Sequence, residues 1–277
     1  MKAVLSIFPK FYRHLDVASL ASLVRDVGLD TTNLVVRDGY WVSESELADE
    51  LPKFVRIMHE EGLKIQFATT GYSPQALLAD PSPLALFAEY GIKEFRIAYF
   101  RTEDNPRVAI DAARSALAAL ARLCEKYDVR AVYQVHHGTL IPSPSAAWHI
   151  VHDIPAKCVG IELDPGNQSF EGFECWDRSA NLLGSHLVAV GVKDTVPVRD
   201  MSRLDEPSKG WRRDWAPIYE GVTNWHEVVR ALKAIDFTGT MVFMPFYDEN
   251  DPSAMTVKLK REVAYLRTIL AQVESEE

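Results

Sequence analysis

Five polar residues close three apolar runs, and four of them, all but the glutamine, are types that handle protons. Gln134 and His136 end the run 129–135, Glu162 and Asp164 end the run 159–163, and Lys193 follows the run 187–192, two positions after Gly191. Side chains alternate along a strand, so residues two apart share a face. If the three runs are neighbouring strands, an amide, an imidazole, two carboxylates and an ammonium converge on one mouth. Carboxylate and imidazole can take and return a proton, and an ammonium can stabilise the negative charge that results. Burying so many polar groups is costly unless they pair or bind something. Plainer readings stand beside this one. Glu162 and Lys193 make a structural ion pair, His136 caps a loop, and Asp164-Pro165-Gly166 is an ordinary turn. His137 and Asp194 fall on the opposite faces and read as structural.

Other signals are weaker. Gly-x-Gly-x-x-Gly, the P-loop, the Gly-x-Ser-x-Gly elbow and the His-Glu-x-x-His helix are all absent. His149 and His152 stand at i, i+3 with no third metal partner in reach, which suits a surface face. Trp211 and Trp215, with Trp225 just beyond, offer flat faces that stack on the C–H face of a sugar; packing on a rim is the alternative. The stretch around them holds Arg199, Arg203, Lys209, Arg212 and Arg213 against Asp200, Asp205, Glu206, Asp214 and Glu220. Five charges of each sign favour a solvated loop over an anion clamp.

The elements that must position these residues alternate along the whole chain. Strand-like runs occur at 3–8, 33–36, 64–68, 94–99, 129–135, 159–163, 187–192 and 240–244. Helical patterns occur at 17–27, 44–61, 83–90, 107–127, 145–152, 177–183, 225–235 and 253–273. Asp16 is placed to cap the first helix, and Gly28, Gly62 and Gly91 stop helices as residues tolerant of left-handed backbone do. Strands alternating with helices imply a parallel sheet. Eight such units in 277 residues, without a Gly/Ser linker, predict a single-domain α/β fold, a closed (β/α)8 TIM barrel. Chemistry in such a barrel sits at the C-terminal strand ends, which favours a functional Asp164. The longest loop, 194–224, carries two of the tryptophans and reads as a packed lid.

Composition narrows the partners. With 30 Lys and Arg against 39 Asp and Glu the net charge is −9, which disfavours nucleic acid. Hydrophobic residues at 47% and charged residues at 25% match a globular protein. Cys124, Cys158 and Cys175 are odd in number and form no C-x-x-C pair, which favours a reducing, cytoplasmic setting. No apolar run is long enough to span a membrane, and the first apolar stretch stops at Pro9. An apolar face on an outer helix leaves a homo-oligomer open.

Four stretches, spread over almost the whole chain, resemble the xylose isomerase-like TIM barrels, the sugar phosphate isomerase/epimerase family. VGIELDPGN (159–167) is similar to the family's sixth strand, where Asp-x-Gly-His is usual. VGVKD (190–194) resembles the seventh-strand His-x-Lys-Asp. YEGVTNW (219–225) resembles the Gly-Glu-Gly-x-x-Asp lead into the next helix, and FTGTMVFMPF (237–246) the last strand, usually Gly-x-x-x-x-Glu. The resemblance implies one xylose isomerase-like domain over 1–277. It also implies a divalent metal (Mn, Mg or Zn) held by Glu, Asp, His and Glu from the fifth to eighth strands. Those positions fall on Gln134, Asp164, Gly191 and Met244, so only Asp164 matches fully, while Gln134 keeps an oxygen without its charge. One carboxylate with one amide binds a hard divalent ion weakly. Glu162 and His136 share the inward parity and are the remaining candidates to compensate. YQVHHG (133–138) resembles branches with Gln-x-His in the fifth strand, and Asn167 stands where a substrate-contacting His is common.

The family reaction moves a proton or hydride between adjacent carbons of a polyhydroxy carbonyl compound. With the metal positions changed, Lys193 takes the oxyanion, Asp164 or Glu162 is the base, and His136 shuttles the proton. Gln134, Asn167, Trp211 and Trp215 are the substrate-binding candidates. The ligand here is a small sugar or sugar derivative. Three rivals accompany this reading. One is a non-catalytic sugar-binding barrel, motivated by the lost ligands. Another is elimination or hydration of an oxidised sugar. The last is the nuclease branch of the fold, which usually needs several metal ligands and a basic groove.

Overall fold

The computed structural model describes residues 2–101, 105–203, 205 and 210–276. Eight parallel strands are the frame: β1 (Val4–Ile7), β2 (Leu34–Val36), β3 (Phe67–Thr70), β4 (Glu94–Arg96), β5 (Arg130–Gln134), β6 (Val159–Leu163), β7 (Leu187–Val192) and β10 (Thr240–Phe243). They pair in the order β1-β10-β7-β6-β5-β4-β3-β2. The two ends of that order meet, because Asn33 N–H donates to the Ile7 carbonyl at 2.8 Å and Ser6 Oγ donates to Asn33 Oδ1 at 2.7 Å. The sheet therefore curls round as the predicted TIM barrel.

The helices that follow the strands are α1 (Val17–Asp26), α2 (Leu47–Glu60), α3 (Pro74–Ala79), α4 (Ser82–Glu89), α5 (Pro106–Tyr127), α6 (Pro144–Val151), α7 (Pro165–Phe170), α8 (Trp176–Leu183), α9 (Trp225–Ala234) and α10 (Pro252–Glu274). Among the described residues, no helix is long and apolar enough to cross a membrane. Side chains such as Leu20, Phe54, Leu117, Leu120, Met241 and Phe243 fill the large core between sheet and helices. Val242 and Met244, one position out of step with Met241 and Phe243, belong to a separate cluster with Phe8 and Val35. That period of two divides each strand between helix layer and barrel interior.

The helix starts follow local chemistry. Asp16 accepts from Ser19 N–H at 2.7 Å, as its position predicts. Two short helices are not legible as periodic patterns, α3 and α7, each too brief to repeat a face. The Asp164-Pro165-Gly166 segment is accordingly a helix start and not a free turn: Asp164 caps α7 and Pro165 sits in its first turn. The third strand begins at Phe67, three residues later than the pattern suggests.

The expected long loop is the largest departure. Within it β8 (Asp194–Arg199) and β9 (Trp211–Ala216) pair as an antiparallel ribbon, with Thr195 opposite Trp215 and Arg199 opposite Trp211. Asp194 ties the ribbon's base to α9 by accepting from Thr195 N–H (2.8 Å), Thr223 Oγ1 (3.0 Å) and the indole N–H of buried Trp225 (3.1 Å). Both residues are structural. Of the loop charges, Arg212 pairs with Asp214 at 2.8 Å, while Glu206 and Lys209 lie outside the described residues. His152 turns to Trp148 O and Asp153, so the His149–His152 pair is a surface feature.

Candidate active site

Strand ends β4 to β7 bring Arg96, Tyr99, Gln134, Asp164, Asn167 and Lys193 into one hydrogen-bonded chain. Arg96 Nη1 (2.7 Å) and the Tyr99 hydroxyl both donate to Gln134 Oε1. The other end of the amide, Gln134 Nε2, donates to Asp164 Oδ2. Lys193 Nζ lies 3.3 Å from the same oxygen and donates to Asn167 Oδ1 at 2.8 Å. Asn167 is held in turn by its own N–H on Asp164 Oδ1 (2.9 Å) and its amide N–H on the Val135 carbonyl (3.1 Å). The register makes this possible: Gln134 pairs with Glu162 across β5 and β6, so both face the interior. Gly166 lets α7 lie against the seventh strand's end, since a Cβ there would meet Lys193 Cγ at 2.7 Å.

Lys193 is 4% exposed, beneath an aromatic roof. Its Nζ lies 4.6 Å from the Trp215 ring centre and 4.9 Å from that of Phe246, and Phe170 packs on Trp215 at 5.1 Å. Such rings stabilise a cation while excluding water. Burial pushes the Lys193 ammonium down from its ordinary value, and the Asp164 carboxylate opposes that shift. Trp215 is thus part of the site, whereas Trp211 is not. Four residues further along the ribbon, Trp211 is 57% exposed and its ring lies under Arg199, 5.1 Å away. The two tryptophans expected to act together are therefore separated: Trp215 packs over Lys193 and Trp211 stands away from it.

Glu162 departs from expectation in its partner. It is 1% exposed, makes no hydrogen bond through either oxygen, and its nearest cation is Arg96 at 3.8 Å rather than Lys193. Burial raises its carboxyl to about 7, with Arg96 opposing. Asp164 is equally enclosed, and its lone pairs are engaged by Asn167, Gln134 and Lys193. A carboxylate so saturated orients its neighbours and is badly placed to take a proton from substrate.

Beside this chain lies a cavity of about 580 Å³, lined by Arg37, Glu44, Arg96, Tyr99, His136 and His137 among others. His136 packs against Tyr99, with ring centres 4.5 Å apart. Its Nδ1 is 2.7 Å from the His137 carbonyl, which can only accept, so Nδ1 carries the proton and Nε2 is left with its lone pair. Burial pushes this imidazole down to about 4, so it is neutral at ordinary pH. His137, read as structural, is corrected: it bonds Asn167 Oδ1 through Nδ1 at 3.1 Å and stacks on Phe170. Arg96, Tyr99 and Arg37 were not singled out from sequence. An arginine inside an otherwise apolar stretch (Phe95–Tyr99) is the signal for Arg96; nothing local marks Arg37.

The four positions where family resemblance implies a metal do meet. Gln134 Nε2 contacts both Asp164 Oδ2 and Met244 Sδ (3.6 Å), and a Cβ on Gly191 would sit 2.8 Å from Asp164 Oδ2 and 3.4 Å from the Met244 methyl. A hard divalent ion does not fit this set. The one carboxylate is already occupied by three N–H donors, the amide presents its NH2 toward it, and a thioether fills the remaining side. Glu162 turns to Arg96 and does not compensate. Among the described residues, no group of three or more His, Cys, Asp or Glu side chains is arranged to hold a metal.

Solved structures share the architecture. D-psicose 3-epimerase from Clostridium cellulolyticum H10, crystallised with D-tagatose, is 13% identical with a TM-score of 0.74, over 96% of this chain and 99% of that one. A xylose isomerase-like TIM barrel protein from Mycobacterium smegmatis in complex with magnesium is 14% identical with a TM-score of 0.70, over 99% and 98%. A probable 3-DHS dehydratase from Bacillus anthracis is 16% identical with a TM-score of 0.71, over 96% and 99%. No curated protein matches the sequence. The model of the xylose isomerase-like TIM barrel family matches residues 21–269, nearly the whole of the barrel described above, and the chain belongs to that family.

Proposed function

We propose that this chain is a cytoplasmic sugar or sugar-phosphate isomerase or epimerase that moves a proton on a small polyhydroxy carbonyl compound, using its own cations where relatives use a metal ion. The observation that carries this reading is the pairing, at one cavity wall, of a neutral imidazole with a free Nε2 lone pair and a buried guanidinium, Arg96. His136 Nε2 takes the proton from the carbon next to the carbonyl. The C–H electrons form the enediolate, whose oxygen becomes negative beside the remaining N–H groups of Arg96, and His136 returns the proton to carbon. Lys193, Asp164, Gln134 and Asn167 act behind this surface. They hold Arg96 and Tyr99 in place and supply fixed positive charge. Three free thiols, Cys175 exposed among them, suit a reducing compartment.

The filled metal position favours one alternative, a sugar-binding barrel without turnover. Deuterium exchange separates the two. Incubated in D2O with ketoses, aldoses, their acids and their phosphates, the protein should wash deuterium into the carbon beside the carbonyl of at least one compound, read by proton NMR. His136→Gln should slow that exchange at least 100-fold without lowering the thermal midpoint. Binding of a compound with no exchange at any carbon would establish the receptor and overturn the enzyme.

A further inference from the structure

We infer that the cavity beside the strand ends selects an anionic substrate, with Arg37 and Arg101 gripping a carboxylate or phosphate monoester on a small polyol. This deepens the function proposed above and rests on it for the identity of the reacting end. Among the described residues, three guanidiniums, Arg37, Arg96 and Arg101, line the cavity against one carboxylate, Glu44. In a chain of net charge −9 that is a local reversal of sign. Burial pushes His136 down to about 4, so it adds no charge, and pushes His137 below its ordinary value.

The three arginines are not equivalent. Arg96 is committed through Nη1 to Gln134 and faces Glu162. Arg37 is half-buried, and among the described residues its side chain has no ion pair or hydrogen bond; it lies 5.9 Å from the Phe8 ring, and Tyr99, Tyr40 and Glu44 act on it only through weaker electrostatic attraction. Arg96 lies 5.2 Å from that same ring, so two like charges stand against one aromatic side chain. Burial and the charge of Arg96 both push Arg37 down from its ordinary value. A desolvated, unpartnered guanidinium beside another is costly unless an anion joins them. Guanidinium presents a planar fork matched to the paired oxygens of carboxylate and phosphate. Exposed Arg101 stands at the rim, where it meets an entering anion first. A volume of about 580 Å³ suits a six-carbon sugar acid or a sugar phosphate.

Isothermal titration with D-gluconate, D-glucose 6-phosphate and neutral D-fructose tests this at low and high salt. The expected result is binding of at least one of the two anions, at least tenfold tighter than fructose and weakened by salt. Arg37→Gln should lose at least tenfold for that anion and most of the salt dependence, while leaving fructose unchanged. Arg101→Gln, at an exposed position, should lose a smaller factor and keeps the test open if the Arg37 variant folds poorly. Preference for gluconate over the phosphate assigns a sugar acid, and the reverse a sugar phosphate. Equal binding of fructose and both anions, with neither arginine variant changing any of them, would overturn the inference. The two proposals fail separately. Arginine-dependent anion binding without deuterium exchange removes the reaction and keeps the pocket, whereas exchange on an anionic sugar at undiminished rate and affinity in both arginine variants removes the pocket and keeps the reaction.

Discussion

Replacing Lys193 by Met tests whether the buried charge network is organised as described. The two side chains have similar length, so the change removes a charge with little change of volume. Asp164 would lose the ammonium 3.3 Å away and Asn167 Oδ1 would lose its 2.8 Å donor. Breaking a buried pair by removing one partner typically costs about 3–5 kcal/mol, because the other charge is left uncompensated. Asp164 keeps its bonds from Gln134 and the Asn167 N–H, so the expectation for Lys193→Met is the lower end, about 3 kcal/mol. Asp164→Asn leaves the ammonium enclosed under Trp215 and Phe246 with one acceptor, and about 2–3 kcal/mol is expected by the same logic. Asn still caps a helix well, so the α7 start survives. The double variant removes both charges and should fall within about 1 kcal/mol of the parent, a coupling well above the roughly 0.5 kcal/mol scatter of independent sites. Urea unfolding at constant pH, with m-values compared, measures all four corners. Costs that simply add, or a Lys193→Met loss below about 0.5 kcal/mol, would refute a paired buried charge.

The remaining expectations concern pH, metal and roof. Burial lifts Glu162 to about 7 from 4.5, so the native state holds a proton that the unfolded chain has released. Stability contributed by this group should therefore fall as pH rises from about 4.5 to about 7, by at most roughly 1.4 kcal/mol per pH unit. Glu162→Gln should flatten that part of a urea-midpoint profile, and an unchanged slope would refute the assignment. With His136 near 4, the exchange rate should show no imidazole limb between pH 6 and 7 and should fall only as pH approaches 4; a limb near 6.5 that vanishes in His136→Gln would contradict it. Activity should survive dialysis against EDTA, and emission spectrometry should find well below one Mn, Mg or Zn per chain. Trp215→Ala should cut exchange at least tenfold by wetting Lys193, while Trp211→Ala should leave it unchanged; equal effects would show the ribbon acting as a whole.

What was legible from sequence follows the range of each signal. Strand parity is local, and it placed Gln134, Glu162, Asp164 and Lys193 on the interior side of adjacent strands, where they lie. Partner choice is not local. Glu162 faces Arg96, 66 positions earlier in the chain, because β4 and β6 flank β5 in the barrel. Asp164-Pro165-Gly166 has turn composition and helix-start composition at once, and only the Asn167 N–H bond decides between them. The ribbon of β8 and β9 lacks a strict apolar alternation, so its pairing shows only when Thr195 meets Trp215 across it. Arg37 carries no motif, and its significance comes entirely from what stands near it.

The substitutions at the metal positions are better understood together than singly. Glycine at 191 opens the space into which the Asp164 carboxylate leans, within 2.8 Å of where a Cβ would be. With that carboxylate drawn in, an acid at position 134 would set two negative charges together without an ion between them. Gln134 removes the second charge and turns a donor toward the first, and its carbonyl end is then free to accept from Arg96 and Tyr99. Met244 closes the remaining side with an uncharged thioether 3.6 Å from the amide. Each change is unfavourable beside a metal and favourable beside the others: each removes an anionic or imidazole ligand, Gly191 making room for Asp164, Gln134 satisfying it and Met244 closing the side. Lys193 supplies the compensating charge, one unit where a divalent ion brings two, against one carboxylate instead of three. Restoring a single ligand, as in Met244→Glu, should therefore destabilise the barrel without recovering metal affinity, because the new acid meets Gln134 and Asp164 and finds no open coordination site.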